Sequence, residues 1–139
     1  YHIPLFIYAP GFIPAREVDT LASQIDLAPT LLGLLGISYE STFFGRNLLL
    51  QHSLPGRAPI GNYQHLGLFD GHDLAILSPR RAMRRHDDAL GLSHETRANA
   101  DDPLLRRDIA YYQGASHAFK EGLIAWKGSD TPRVMLSRR

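Results

Sequence analysis

Hydrophobic residues concentrate in two runs near the start of the chain. The first run, residues 3–8, reads Ile-Pro-Leu-Phe-Ile-Tyr and ends at Pro10-Gly11. A continuous apolar run of this length is typical of a strand that is buried on both faces of a sheet. One buried strand cannot satisfy its own backbone hydrogen bonds, so we expect its partner strands later in the chain or outside it.

The second run predicts a short helix. Its leucines recur at helical spacing and cover almost the whole circumference, so we expect the helix to be buried on most sides: Leu27, Leu31, Leu32, Leu34 and Leu35. Gly33 inside the helix is unfavourable by up to ~1 kcal/mol relative to alanine, which indicates that another backbone approaches closely there.

Polar and special residues mark both ends of this helix. Asp26 is the preferred N-cap, because its carboxylate can accept backbone N–H bonds and because Pro29 then falls in the first turn. Ser23 is the alternative start, with Asp26 three residues further on as in a capping box. Gly36 is expected to end the helix in the left-handed conformation.

Short segments separated by turn residues follow from position 60 and predict a four-stranded antiparallel meander. Residues 54–59 contain Pro55, Gly56 and Pro59 and are interpreted as a linker. Asp70-Gly71 is a hairpin signal. The arginine-rich last strand is expected to be an exposed edge, and residues 86–100 a loop. The four predicted strands are Ile60–Gln64, Leu66–Asp70, Asp73–Ser78 and Arg80–Arg85.

A long amphipathic helix is predicted next. Asp102-Pro103 provides an N-cap followed by proline at the first helical position, and Gly122 ends the helix. Its predicted core-facing stripe consists of Leu105, Ile109, Tyr112, Ser116 and Phe119. We expect a final extended piece at residues 123–126 and a loosely held tail at 127–139.

These elements together indicate an α/β chain. A buried strand and a helix are followed by a four-stranded antiparallel sheet with a long C-terminal helix. We predict an N-terminal α/β piece over residues 1–54, a meander and terminal-helix subdomain over 55–126, and a tail over 127–139.

Composition narrows the classes of protein only slightly. The 139 residues, 44% of them hydrophobic, suit one domain or a piece of one. A net charge of +1 provides no long-range field, so no nucleic-acid partner is implied. The absence of cysteine excludes disulfides and thiol chemistry. The chain begins Tyr-His-Ile without an initiator methionine, and we expect it to be a fragment of a longer protein.

Two acidic, histidine-containing stretches have metal-capable side chains. They are Asp70-Gly71-His72-Asp73 and His86-Asp87-Asp88. Neighbouring residues on one turn seldom converge on a metal without a ligand from elsewhere, so a hairpin tip and a strand end are the favoured interpretations.

Other candidate sites are equally weak. The segment Arg80–Arg85 has the charge to grip a phosphate, but a solvated edge strand is favoured. Tyr111-Tyr112 and Phe119 have the spacing of core residues. Ser116 and His117 are adjacent on a helix and do not face each other, so they do not form a nucleophile–base pair. We therefore assign no catalytic, cofactor-binding or metal-ligating residue to this chain.

The first third of the chain resembles a known family. Residues 1–11, YHIPLFIYAPG, are followed by residues 23–36, SQIDLAPTLLGLLG, and then by Phe44-Gly45-Arg46-Asn47-Leu48. These stretches are similar to the late part of a sulfatase-family domain of the alkaline phosphatase superfamily. The resemblance implies that residues 1–54 are the C-terminal part of an alkaline-phosphatase-like α/β domain.

A second resemblance is carried by fewer residues. Residues 108–116, DIAYYQGAS, and residues 119–123, FKEGL, are similar to the closing helix of lipoteichoic acid synthase-like phosphoglycerol transferases. Within that group, the catalytic domain ends in a small antiparallel sheet with a terminal helix, which matches the predicted order of elements.

The resemblance implies a metal-dependent enzyme whose reacting residues lie outside this chain. In the family, a Thr, Ser or modified Cys nucleophile and the ligands of a divalent ion (Mn, Mg, Zn or Ca) all lie upstream, with a closing Asp-His pair expected shortly before Tyr1. The implied partners are the rest of the catalytic domain, a phospholipid or a phosphate or sulfate ester, and a membrane through an upstream anchor. The implied location of the catalytic domain is the periplasm or another extracytoplasmic space.

Three functions stay open on the sequence. The first is a phosphoglycerol- or phosphoethanolamine-type transferase or phosphodiester hydrolase. In that case this chain is a fragment of the enzyme and is inert by itself. The second is a true sulfatase that hydrolyses sulfate esters. The third is a free-standing α+β module that binds a partner and has no chemistry.

Overall fold

A computed structural model describes residues 2–42, 44–50, 54–91 and 94–125, together with the backbone of residues 135 and 136. The described chain is α/β, with a short helix, a five-stranded antiparallel sheet and a long C-terminal helix. The predicted fold class is therefore confirmed. The described residues contain no helix that is both long and apolar enough to cross a membrane.

The secondary structure comprises two α-helices and seven short strands within the described ranges. The helices are α1, Leu27–Leu34, and α2, Pro103–Lys120. The strands are β1 Ile37–Ser38, β2 Ala58–Gly61, β3 Leu66–Phe69, β4 Leu74–Ser78, β5 Ala82–His86, β6 Glu95–Arg97 and β7 Met135–Leu136. Strands β1 and β7 form an antiparallel pair of their own.

The main sheet is an antiparallel meander in the order β2-β3-β4-β5-β6. The predicted hairpin at Asp70-Gly71 is confirmed and joins β3 to β4. Asp70 Oδ1 accepts hydrogen bonds from the N–H groups of His72 at 3.0 Å and Asp73 at 2.8 Å. Gly71 has a φ of +108°, which explains why glycine occupies this turn. The hairpin fixes the register Phe69 opposite Leu74.

The sheet has one strand more than predicted. Residues 95–97 pair with β5, so β5 is an inner strand and the predictions of a loop here and of an arginine-rich edge are wrong. The strand β6 is short and polar, and no hydrophobic alternation marks it in the sequence. It pairs with β5 through its backbone, and the Glu95 side chain lies 2.7 Å from Arg84 and 3.2 Å from His86. A turn at Pro79–Arg81 also replaces the start of the predicted last strand.

Both ends of α2 follow the predicted pattern. The carboxylate of Asp102 accepts hydrogen bonds from the N–H groups of Leu104 at 2.8 Å and Leu105 at 3.1 Å. Gly122 takes a φ of +65° just beyond the last turn. The N–H of Leu123 then donates to the carbonyl of Ala118 at 2.8 Å, which completes a Schellman cap.

The core lies between α2 and one face of the sheet. It consists of Leu68, Ala75, Leu104 and Leu105, each buried, with Leu77, Met83, Ala98 and Tyr111 packed against it. The predicted stripe on α2 is shifted by one residue, because the buried face passes through Leu104, Asp108, Tyr111 and Ala118. Asp108 lies on this buried face and is 0% exposed, although a carboxyl group is rarely fully buried. Phe119, predicted to be core, is 74% exposed.

The N-terminal run is neither paired nor buried, so the predicted buried strand is wrong for the described chain. Phe6 is 87% and Tyr8 89% exposed, and the residues around them have no strand assignment. Helix α1 also buries less than predicted: Leu35 is 68% exposed, whereas the helix residues Pro29 and Thr30 are buried. A strand needs neighbours and a covered face to be buried, and the described residues supply neither here.

Three further segments differ from expectation. Residues 123–125 form a turn in place of an extended piece. Of the predicted linker 54–59, Ala58 and Pro59 belong to β2, and Arg57 is 1% exposed. Trp126 and the tail 127–139 lie outside the described residues, apart from the backbone of β7. The predicted domain boundaries at residues 54 and 126 stay a prediction.

Truncation of a core residue tests the phase of α2. Leu105→Ala removes a fully buried side chain at the centre of the core and should lower the free energy of unfolding by about 2–5 kcal/mol in urea titrations. Phe119→Ala, at the position predicted from sequence to be buried, should change it by less than about 0.5 kcal/mol. Equal losses for the two variants would contradict the observed packing of α2.

Candidate functional site

A buried ion pair joins the N-terminal segment to the sheet. Arg57 Nη1 donates to Asp26 Oδ2 and Arg57 Nη2 to Asp26 Oδ1, each at 2.8 Å. The two residues are 1% and 0% exposed. We call Asp26, Arg57 and Tyr111 the buried clamp. A bidentate geometry of this kind offsets the cost of desolvating both charges only when their remaining hydrogen bonds are also satisfied.

The remaining polar atoms of the clamp do have partners. Arg57 Nε donates to Tyr111 Oη at 2.7 Å and Nη2 donates to the Phe44 carbonyl at 3.2 Å. The carboxylate of Asp26 accepts from the N–H groups of Ser23 at 2.9 Å and Arg46 at 2.8 Å. Burial raises the pKa of Asp26, but its bonds with Arg57 and with these two N–H groups outweigh that effect and hold the pKa below its usual value.

This environment gives the clamp a structural role. The ionised Asp26 carboxylate has no proton to donate, and four accepted hydrogen bonds occupy its buried oxygens, so Asp26 is unsuited to acid–base catalysis. Asp26 occupies the predicted N-cap position of α1, but its side chain makes no cap bond to the helix. A 3₁₀ turn, Gln24–Asp26, begins the helix after Ser23, which was the alternative start.

The glycine-marked loop packs directly against α1 and explains the Phe44-Gly45-Arg46-Asn47 pattern. A Cβ at Gly45 would lie 1.7 Å from the Ile25 carbonyl oxygen, so only glycine fits. The hydroxyl of Thr30 accepts from the Leu48 N–H at 3.1 Å. A Cβ at Gly33 would instead meet the Asn47 side chain at 1.9 Å. The close backbone approach predicted at Gly33 therefore occurs at Gly45.

The two acidic candidate stretches do come together, at one end of the sheet. Arg85 donates to Asp87 and Asp102, each at 2.7 Å, and also to Asp73. His72 Nδ1 lies 2.6 Å from Asp73 Oδ1. The pKa of Asp73 is lowered, first by His72 and then by the Asp88 N–H, and that of His72 is raised by Asp73. Arg85 thus neutralises a cluster that would otherwise repel itself, and ties the sheet to the start of α2.

These carboxylates are paired with Arg85 or His72 and are not arranged to bind a cation. Among the residues that the structure describes, no three His, Asp or Glu side chains converge to hold a metal ion. The divalent ion implied by the resemblance therefore does not fit the described residues of this chain, and no chemical step is assigned to it here.

Asp108 is a buried carboxyl without a hydrogen-bond partner in the described structure. It is 0% exposed, and both carboxyl oxygens lack a hydrogen-bond partner. Burial raises its pKa to about 7. The pKa of the neighbouring Tyr112 is raised, first by burial and then by Asp108. The acid is therefore largely protonated below neutral pH.

The other candidate residues are separated from one another. Tyr111 belongs to the clamp, and Tyr112 Oη donates to the Ile60 carbonyl at 3.1 Å. Ser116 and His117 are both exposed on α2. The sequence analysis missed Arg57, because its Pro- and Gly-rich surroundings indicate a linker.

Nor did the sequence mark a contact between His65 Nδ1 and Ser78 Oγ, which lie 2.8 Å apart. The observed turn is centred on Gly71-His72 and places residue 65 opposite residue 78, whereas a two-residue turn at Asp70-Gly71 would place it opposite residue 76.

Comparison with known proteins identifies the class to which the N-terminal region is related. Residues 1–37 match the sequence model of the Sulfatase family. One curated relative is arylsulfatase K of Xenopus laevis, 35% identical over 48 residues. That match covers 34% of this chain and 9% of the relative, so the chain spans only a small part of the relative's length. No solved structure matches the chain. These findings support a relationship to the sulfatase family.

Breaking the clamp should be strongly destabilising. Asp26→Asn leaves the buried Arg57 guanidinium without a countercharge and should cost about 3–5 kcal/mol of unfolding free energy in urea titrations. Asp101→Asn is the matched control, because Asp101 is 89% exposed and 3.8 Å from Arg106. The control should change the value by less than about 1 kcal/mol. A clamp variant as stable as this control would contradict the account.

Asp108 should make stability depend on pH between about 4 and 7. The folded chain holds a proton on Asp108 up to about pH 7, whereas the unfolded chain releases it near 3.8. Stability is therefore greatest below pH 4 for this group and falls by about 4 kcal/mol as the pH rises to 7. Asp108→Asn should remove this dependence. Compared with the unsubstituted chain, the variant should therefore gain stability between pH 5 and pH 8.

Urea unfolding of both proteins at pH 5 and pH 8 measures this difference. Asp73 raises the pKa of His72, but the contribution of His72 to the pH dependence cancels because both proteins contain it. The account fails if the two proteins lose the same stability between these pH values.

Proposed function

We propose that this chain is the C-terminal scaffold of a sulfatase-family ester-cleaving enzyme and is catalytically inert by itself. The single observation that supports the family most directly is the match of residues 1–37 to the Sulfatase model. The described chain adds a physical reason for inertness: Asp26, Asp73, Asp87 and Asp102 are each engaged by Arg57 or Arg85 in ion pairs within the chain.

The proposed partner of the chain is the rest of its own catalytic domain. The support is the exposed apolar surface of the N-terminal region, where Leu5 is 57%, Phe6 87% and Phe12 92% exposed. Leu31 on α1 and Leu35 just after it are also exposed, at 38% and 68%. Surfaces of this kind mark interaction sites in soluble proteins. In this proposal residues 3–8 add a strand to a sheet supplied by the rest of the domain, and α1 covers one face of it.

Two reactions are proposed for the whole enzyme. Hydrolysis of sulfate esters is favoured by the likeness to a protein named arylsulfatase K. Transfer of phosphoglycerol or phosphoethanolamine, or phosphodiester hydrolysis, is favoured by the resemblance of residues 108–123 to lipoteichoic acid synthase-like enzymes. Either reaction would use a nucleophile and a divalent ion held by residues upstream of this chain. In this proposal the catalytic domain lies outside the cytoplasm, and a segment upstream of it anchors the protein to a membrane.

The upstream coding sequence distinguishes these reactions. Sequencing the DNA 5′ of the Tyr1 codon should reveal an Asp-His pair shortly upstream. A Cys-x-Pro-x-Arg motif further back would identify a sulfatase, and a Thr nucleophile a phosphotransferase. A start codon directly before Tyr1 would overturn the enzyme proposal and favour a binding module without chemistry.

The 139-residue chain alone should show no turnover. Purified chain with Mn²⁺, Mg²⁺, Zn²⁺ or Ca²⁺ should hydrolyse p-nitrophenyl sulfate and bis(p-nitrophenyl) phosphate no faster than the same buffer without protein. The Asp26→Asn variant is the control for trace contamination, because a contaminating enzyme would be unaffected by it. A metal-dependent rate that this variant abolishes would contradict the proposed inertness.

A further inference from the structure

The face of the sheet opposite α2 carries a row of residues that is apolar on β2 and β4 and basic on β5 and β6. Strand pairing aligns Ile60, Gly67, Ile76, Arg84 and Arg97 across the five strands, pointing away from the core residues Leu68 and Ala75. Ile60 and Ile76 are half-buried. Gly67 between them has no side chain, and an open hollow of about 210 Å³ lies over this row.

Polar groups line one end of this hollow. His65 and Ser78, whose Nδ1 and Oγ atoms are 2.8 Å apart, lie there with Asn62, and Arg84 lines the side. Imidazole and hydroxyl groups can each donate a hydrogen bond to an oxyanion, and the guanidinium of Arg84 adds positive charge. Arg84 is only 46% exposed and already oriented by Glu95.

The meander separates charge between the two ends of the sheet. The turn at 79–81 and the loop at 62–65 share one end, which carries Arg80 and Arg81, both exposed. The opposite end carries the acidic residues Asp70, Asp73, Asp87 and Asp88, whose charge Arg85 offsets in part. An anion is therefore favoured at the His65–Ser78 end of the hollow and disfavoured at the other.

Ile60, Gly67 and Ile76 form an apolar floor of the hollow, which favours an apolar group in the rest of the ligand. A glycine within a strand leaves room for the close approach of a ligand or of another backbone, and a flat aromatic ring fits over such a position. Leu74 closes one side of the floor, with its Cδ1 3.4 Å from where a Cβ of Gly67 would lie. Tyr63, 99% exposed on the loop that carries His65, offers a further aromatic surface.

We propose that this hollow binds a small aryl oxyanion, with the ring over Ile60, Gly67 and Ile76 and the phosphate or sulfate group at His65, Ser78 and Arg84. The inference does not rest on the proposed function, because residues 60–84 carry it and binding requires no turnover. It assigns to the sheet a ligand site that is separate from the exposed N-terminal surface.

Titration of the ¹⁵N-labelled 139-residue chain tests the site. Phenyl phosphate and phenyl sulfate are added in separate experiments at pH 7, and each should shift the amide signals of Gly67, Ile76 and Ser78 to saturation. Inorganic phosphate, inorganic sulfate and benzyl alcohol should each bind at least about tenfold more weakly, because each lacks either the ring or the charge. Comparison of the two phenyl esters shows which oxyanion is preferred.

Matched arginine variants separate this site from general charge attraction. Arg84→Gln should weaken binding about three- to tenfold, whereas Arg106→Gln, an exposed arginine on α2, should leave it unchanged. Ser78→Ala provides a second variant within the site if Arg84→Gln alters the dispersion of the spectrum. The proposal is overturned if the two arginine variants have equal effects or if inorganic anions bind as tightly as the phenyl esters. It is also overturned if the amide signals of Gly67, Ile76 and Ser78 do not shift.

Discussion

The bidentate pair between Arg57 and Asp26 is the interaction on which the rest of the structure depends. It connects the turn before α1 with the strand β2, and Tyr111 extends the connection to α2. Helix α1 buries few apolar side chains, so its position relative to the sheet is set mainly by directed polar bonds. These bonds specify one geometry, whereas hydrophobic contact alone would allow several.

Arg85 has a similar role at the other side of the molecule. It holds three carboxylates, one from the hairpin tip, one from the end of β5 and one from the N-cap of α2. Arg57 is nearly completely buried, whereas Arg85 is 28% exposed, so the second network is more strongly screened by water. The two arginines therefore fasten α2 to the remainder of the chain from its N-terminal and central turns.

Local signals predicted most of the fold, because each one has a local physical cause. The caps of α2, the turn at Asp70-Gly71 and the left-handed Gly36 are dictated by a few neighbouring residues. The wrong predictions arise where the structure is determined by residues that are distant in the sequence. Strand β6 is defined by its pairing with β5, Arg57 by a carboxylate 31 residues away, and the face of α2 by a buried acid that no pattern marks. The exposed run at residues 3–8 differs because its expected neighbours are not among the described residues.

The segment from residue 54 to residue 57 looks like a spacer in the sequence, but its length is fixed at both ends. The Pro55 carbonyl accepts a bond from Arg46 at 2.8 Å, and a Cβ at Gly56 would lie 2.6 Å from that of Leu21. Arg57 then enters the clamp and Ala58 begins β2. One inserted residue would either withdraw the guanidinium from Asp26 or shift β2 by one position and turn its side chains to the opposite face. This stretch can therefore accept changes of residue type more readily than any change in residue number.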